Sequence, residues 1–344
     1  MTERIYAQSD KAKASHALVK DLQKCFKEQL ISNLNDTIRF EEKTWLRSQG
    51  SFGGGERFES KSPFFNNASI NTSQVHYESV PEKKLNSATA LSSIIHPNNP
   101  HCPSIHVHFS YTEMKSGQGY WRMMADLNPS IECSLKDEFE DTIRLVIPDK
   151  LNFGFQLGDQ YFYIPHLKRH RGISHYYLEQ YKTDSFEDDL TTAKTLAEAV
   201  LKYYCDSIAT LHEKQPTATD SEKSQQLDYH TLYFFQVLTL DKGTTAGLLI
   251  HNENDLGILG SLPKYLNKKL LSKWQQNMSE PQNYLVKEFL KVLPNQDTVE
   301  ITPEHKLNFC NIIRKHYQTY PDAIKFQASC DHSPDSIANH NLVR

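Results

Sequence analysis

His96 and His106 flank the turn Pro97-Asn98-Asn99-Pro100-His101-Cys102-Pro103. Its three prolines hold two strand ends at a fixed separation, and a loop stiffened in this way can aim side chains for proton transfer. His106-x-His108 also has the spacing of a chelating pair, because residues two apart on a strand point the same way. His166, His170 and His175 form a second group around Lys168-Arg169-His170-Arg171-Gly172. Asp126 follows the aromatic stretch Tyr120-Trp121-Arg122-Met123-Met124 and precedes Leu127-Asn128-Pro129. A carboxylate there can hold a substrate N–H or face a cationic intermediate; equally, it can be a turn residue ahead of a proline. For any one of these histidines the plain alternative is a solvated or hydrogen-bonded core side chain.

Other chemistries find little support. Gly53-Gly54-Gly55 lacks the Lys-Ser/Thr of a phosphate loop and does not match GxGxxG. No GxSxG nucleophile elbow occurs. The six cysteines (Cys25, Cys102, Cys133, Cys205, Cys310 and Cys330) include no CxxC pair, which points away from a zinc ribbon or disulfide scaffold and toward reduced thiols in the cytoplasm. With 38 Lys+Arg against 42 Asp+Glu, the net charge of −4 excludes a generally basic nucleic-acid binder. No apolar run is long enough to insert in a membrane, and Met1–His16 lacks the apolar centre of an export signal. In 344 residues, 16 His are many and 13 Gly are few.

The elements that must position these residues follow from periodicity. Between Lys11 and Asn35, Leu18, Leu22, Cys25, Phe26, Leu30 and Leu34 recur at helical steps. A loop with Gly53-Gly54-Gly55 as its strongest break is expected next. Ile105 to Thr112 alternates strictly, which puts His106, His108 and Ser110 on one face of a strand and Ile105, Val107, Phe109 and Tyr111 on the other. Phe186–Lys214 reads as a long helix with Ser185 as N-cap. Thr231–Leu240 and Thr245–His251 read as strands joined by a hairpin at Asp241-Lys242-Gly243. Helices are expected over Lys264–Gln276, Tyr284–Val292 and Lys306–His316, followed by a frayed tail. Helices and hairpin-linked strands together predict an α+β fold.

Several segments then resemble, in order, the oxygen-dependent coproporphyrinogen III oxidase family. Ser92-Ser93-Ile94-Ile95-His96-Pro97-Asn98-Asn99-Pro100 with Pro103 and His106 resembles its signature. Trp45 with Gly53-Gly54-Gly55-Glu56-Arg57 looks like its glycine-rich strand, and Phe65 to Ser73 like its FEKAGVN-S segment. Trp121 with Asp126-Leu127-Asn128-Pro129 resembles WWFGGG-x-DLTP; His166 with Arg171-Gly172-Ile173 resembles KHR-x-E-x-RGIGG. Asp241-Lys242-Gly243-Thr244 and Ser261-Leu262-Pro263 look like DRGT and the closing SLPP.

The resemblance implies a large flat antiparallel sheet sandwiched between helices, a single domain over residues 1–296 with a C-terminal extension over 297–344, and a homodimer. It implies O2-dependent oxidative decarboxylation of a small-molecule substrate with no organic cofactor. His106 would be the acid/base residue, Asp126 the carboxylate for substrate N–H groups, and Ser92 a substrate contact, with Arg171 also in the substrate site. His96 and His166 would be ligands of a divalent metal.

Some positions differ from the family. Its strand H-A-N-x-R becomes His106, Val107, His108, Phe109 and Ser110, so His108 and Ser110 would contact substrate where asparagine and arginine stood. Its G-G-R falls on His251-Asn252-Glu253, and Met123 and Met124 replace glycines. Arg122 and Arg169 remain as basic residues that can serve in place of the lost arginine. Three readings stay open. One is an oxidase that decarboxylates a carboxylate-bearing side chain. Another is a metal-dependent oxygenase of a small non-porphyrin substrate, with iron, manganese or copper held by His96, His106, His108 and His166. The last is a non-catalytic binding protein.

Overall fold

The computed structural model describes residues 4–34 and 38–328. Helix α1 (Asp10–Asn33) opens the fold and is capped by Ser9, whose hydroxyl accepts from the Ala12 amide. Six strands follow: β1 (Phe40–Leu46), β2 (Gly53–Ser60), β3 (Phe65–His76), β4 (Leu85–Pro97), β5 (Ser104–Met114) and β6 (Gly119–Asn128). Helices α2 (Lys136–Arg144) and α3 (Phe153–Phe162) lead to two short strands, β7 (Tyr163–Ile164) and β8 (Arg169–His170), and then to β9 (Ser174–Tyr181). Strands β1 to β6 and β9 pair antiparallel, in that order, as one seven-stranded sheet.

The remainder is largely helical. It comprises α4 (Phe186–Lys214), α5 (Asp220–Thr239), α6 (Lys242–Ile250), α7 (Asp255–Ile258), β10 (Tyr265–Asn267), α8 (Lys268–Gln275), α9 (Gln282–Val292), β11 (Thr298–Glu300) and α10 (Pro303–Thr319). The α+β expectation therefore holds, with helices on both faces of an antiparallel sheet.

The two faces carry different side chains because strand residues alternate. Ile105, Val107, Phe109, Trp121, Met123 and Leu178 point into an apolar core shared with Leu22 and Phe26 of α1 and Leu196 and Tyr204 of α4. The opposite face carries His106, His108 and Ser110. A second apolar core lies on that side, where Ile94 of β4 joins Phe234 of α5, Phe289 of α9 and Phe309 of α10.

Three expectations are corrected. The segments over Thr231–Leu240 and Thr245–His251 are helical rather than a hairpin. In α5 every residue from Tyr229 to Thr239 is buried, and a helix enclosed on all sides loses the one-sided stripe that marks helical periodicity. Thr219 and Glu222 start α5 with a reciprocal capping box. Asp241 caps α6 by accepting from the Thr244 amide at 2.7 Å, so it is a helix N-cap and not a turn residue.

The loop expected around Gly53-Gly54-Gly55 is instead the start of β2. Gly53 and Gly54 adopt φ of +87° and +153°, and a Cβ on either would lie 2.1 Å from the Gln74 carbonyl oxygen or 2.2 Å from that of Trp45. Only glycine lets the three strands approach so closely here. Lys264–Gln276 is also only partly helical, since its first residues form β10. The tail after Gln327 and Ala328, including Cys330, lies outside the described residues.

Candidate active site

Register brings the predicted residues to one sheet face. His106 pairs with Asp126 and His108 with Met124 across β5 and β6, while Ser92 of β4 pairs with His108. The proline-stiffened turn joins β4 to β5 as expected, with His96 and His106 near its two ends.

Asp126 is fully buried. Its Oδ2 accepts from Arg171 Nη2, and its Oδ1 accepts from His175 Nδ1 at 2.6 Å. Burial raises its carboxyl pKa, but the Arg171 guanidinium and His175 outweigh burial and hold it below the usual carboxylate range. The same Arg171 Nη2 lies 3.2 Å from His106 Nδ1. An N–H there fixes Nδ1 as an acceptor and leaves Nε2 to carry the proton of the neutral ring. His106 is neutral at pH 7 because burial, then Arg171, lowers its pKa to about 4 against opposing pulls from Asp241 and Asp126.

Arg171 is fixed on every side. Nε donates to Asn128 Oδ1 at 3.2 Å, Nη1 donates to Gln236 Oε1 of α5, and its carbon lies 4.8 Å from the ring centroids of both Phe162 and Tyr233. Only 3% of Arg171 is exposed, so it works as the internal link between Asp126 and His106 and is not presented to solvent. A cavity of about 380 Å³ opens beside it, bounded by Ser130, Arg169, Tyr229, Leu232 and Trp274.

His108 and Ser110 lie next to His106, half-buried, with His108 Nε2 2.9 Å from Ser110 Oγ. Burial, then Arg122, lowers the His108 pKa to about 3. Ser92 is half-buried, and its carbonyl accepts from Asn71 Nδ2 at 3.1 Å. Above them Tyr161 donates to Asp241 Oδ1 at 3.0 Å.

His96 shares the sheet face of Ser92 and lies beside this group, within reach of the charge of Arg171. It is fully buried under α5: Nδ1 accepts from Ser104 Oγ at 2.8 Å and Nε2 donates to the Ser261 carbonyl at 3.2 Å. Burial, then His230, holds its pKa well below the usual value. Both ring nitrogens are thus occupied by protein groups. His166 stands in the turn before β8, half-buried, with its pKa lowered by burial. The residues expected to hold a metal do not fit one as placed. Among the described residues no three His, Cys, Asp or Glu side chains converge on a common point, and the guanidinium against His106 already supplies positive charge there.

Several residues of the site were not singled out in the sequence for the roles they take. Gln236 and Asn128 orient Arg171, and Glu179 pairs with Arg122 at 3.0 Å. Asp241, expected in a hairpin turn, instead joins the site through Tyr161. At the place of the family's G-G-R, Glu253 accepts from Arg47 Nη1 at 2.7 Å, so that corner is closed by an internal ion pair.

Comparison with known proteins fits this geometry. The family model described as coproporphyrinogen III oxidase matches residues 14–295. The oxygen-dependent coproporphyrinogen-III oxidase of Prochlorococcus marinus is 27% identical over 295 residues, covering 73% of this chain and 82% of its own length. The mitochondrial oxygen-dependent coproporphyrinogen-III oxidases of Rattus norvegicus and Homo sapiens are 27% and 26% identical, over 76% and 77% of this chain. The matched regions take in 63% and 62% of those two proteins, less than two thirds of their length. Among the described residues, no helix is long and apolar enough to cross a membrane.

Proposed function

Because the chain belongs to the coproporphyrinogen III oxidase family, we propose that it uses O2 to decarboxylate oxidatively a propionate-type side chain on an electron-rich heterocycle. The reaction balances without another reductant or oxidant. A hydride equivalent leaves the β-carbon, the electrons of the bond to CO2 become the new C=C bond, and O2 takes the hydride equivalent and one proton to become H2O2.

The observation that carries this reading is the buried chain Asp126–Arg171–His106. Asp126 neutralises Arg171, and Arg171 in turn keeps His106 Nδ1 an acceptor. The imidazole therefore offers an Nε2–H donor that stays neutral at pH 7. Such a donor stabilises negative charge developing on reduced oxygen, and a fixed donor costs no reorganisation when that charge appears. Ser92, His108 and Ser110 supply half-buried polar contacts around the reacting side chain. Asp126 acts in this scheme through Arg171 and His106, since its own oxygens are both occupied.

The test is oxygen uptake, with CO2 and vinyl product measured, on anaerobically prepared coproporphyrinogen III. We expect stoichiometric O2 consumption and CO2 release. Absence of both at micromolar protein would refute the reading.

A further inference from the structure

The strand bearing His106 has Ser110 where the family pattern places an arginine, yet a guanidinium stands directly across the ladder. Ser110 and Arg122 are register partners on β5 and β6, so their Cβ atoms lie about 4.5–5.5 Å apart. Trp121 and Met123 on either side of Arg122 point into the apolar core under α1 and α4, which turns Arg122 to the face of His106 and His108. Its charge is felt there by His108.

Glu179 of β9 accepts from Arg122 Nη2 at 3.0 Å, and the two differ in depth: 4% of the Glu179 side chain reaches solvent against 18% of Arg122. Arg122 is thus the less buried partner of the pair, on the face that carries His108 and Ser110. A guanidinium has five N–H donors in a planar fork. Among the described residues Arg122 Nε meets no acceptor, so Glu179 orients this fork without filling it.

We propose that Arg122 receives the substrate carboxylate in this chain, carried across one strand pair from position 110, and that Glu179 is its positioning residue. This rests on the decarboxylase reading above. Arg–carboxylate recognition is geometric as well as electrostatic, so moving the fork by one strand changes where the reacting side chain must lie relative to His106.

The test uses the full chain and the variants Arg122→Gln, Arg122→Lys, Glu179→Gln and the exchange Ser110→Arg with Arg122→Gly. Binding of coproporphyrin III is followed by fluorescence, and turnover of coproporphyrinogen III by oxygen uptake, each at two ionic strengths. Arg122→Gln is expected to raise Kd and KM at least tenfold, with a smaller change in kcat and a flatter salt dependence. Arg122→Lys should recover part of the affinity, Glu179→Gln should weaken binding less than Arg122→Gln does, and the exchange should restore binding to within about threefold. Wild-type binding that survives Arg122→Gln, or an exchange variant as weak as Arg122→Gln, would overturn this assignment alone. A wild-type protein that neither binds nor oxidises these porphyrins would overturn the functional reading and the assignment with it.

Discussion

His106 and Asp126 are direct register partners on neighbouring strands, and one nitrogen of Arg171 bonds to both. The tautomer of the histidine is thereby set from the opposite end of a buried ion pair. His106→Ala should lower turnover by about 10²–10⁴, the usual range for a positioned proton-transfer group. His106 is buried against Arg171, so the urea midpoint should fall as well, but by less than would empty the folded state under assay conditions. Equal losses of activity and stability would show a structural residue instead.

Asp126→Asn leaves the Arg171 guanidinium buried without its counter-charge. Breaking such a pair costs about 3–5 kcal/mol, to be read by urea unfolding. Asp126→Asn combined with Arg171→Gln should recover part of that loss, whereas additive losses would mean the two side chains do not form one unit. The sign with pH is defined. The folded carboxyl pKa is depressed, so its stabilisation is present above the unfolded value of about 3.9 and is lost as pH falls through the folded one.

The histidines make a separate prediction. Burial lowers His230 to about 3 and, together with Arg171, lowers His106 to about 4. Between those values and the unfolded value of about 6.5, the unfolded chain binds more protons, so stability is complete above about pH 6.5 and falls as pH drops. Each such group contributes a slope of about 1.4 kcal/mol per pH unit. His230→Gln should therefore flatten the pH dependence of unfolding between pH 6 and 4.5 by about one proton. An unchanged slope would mean His230 is not buried neutral.

Ending the chain after Asn295 would remove β11 and α10. Phe309 of α10 packs with ring centroids 5.2 Å from both Phe234 and Phe289, and Arg314 Nη1 donates to Asp255 Oδ2 at 2.8 Å. The shortened protein should bind a hydrophobic dye and melt well below the full chain. A truncated protein with the same melting temperature would show the segment to be dispensable.

What the sequence disclosed divides along physical lines. Strand β5 was legible because its two faces meet different environments, α1 because it shows an apolar stripe, and α4 because it shows a stripe and a serine cap. Helix α5 was not, since burial on all sides erases periodicity and leaves an aromatic, β-branched run that looks like a strand. The glycines at 53–55 misled for a related reason: their fit depends on carbonyls of β1 and β3, which no local window contains. In the site, the facing of His106, His108 and Ser110 followed from alternation alone. The partners of Asp126 did not, because His175, Arg171 and Gln236 reach it or its neighbours only through long-range pairing.

The two sides of the sheet answer to different constraints. Trp121, Met123 and their apolar neighbours hold the strands to α1 and α4, while Arg122, Met124 and Asp126 on the same strand face the polar group. Alternation lets either set vary while the other is kept, residue by residue along one stretch of backbone. A single strand can thus inherit its architecture and revise its chemistry at the same time, and Arg122, wedged between two core residues, is where this chain has done so.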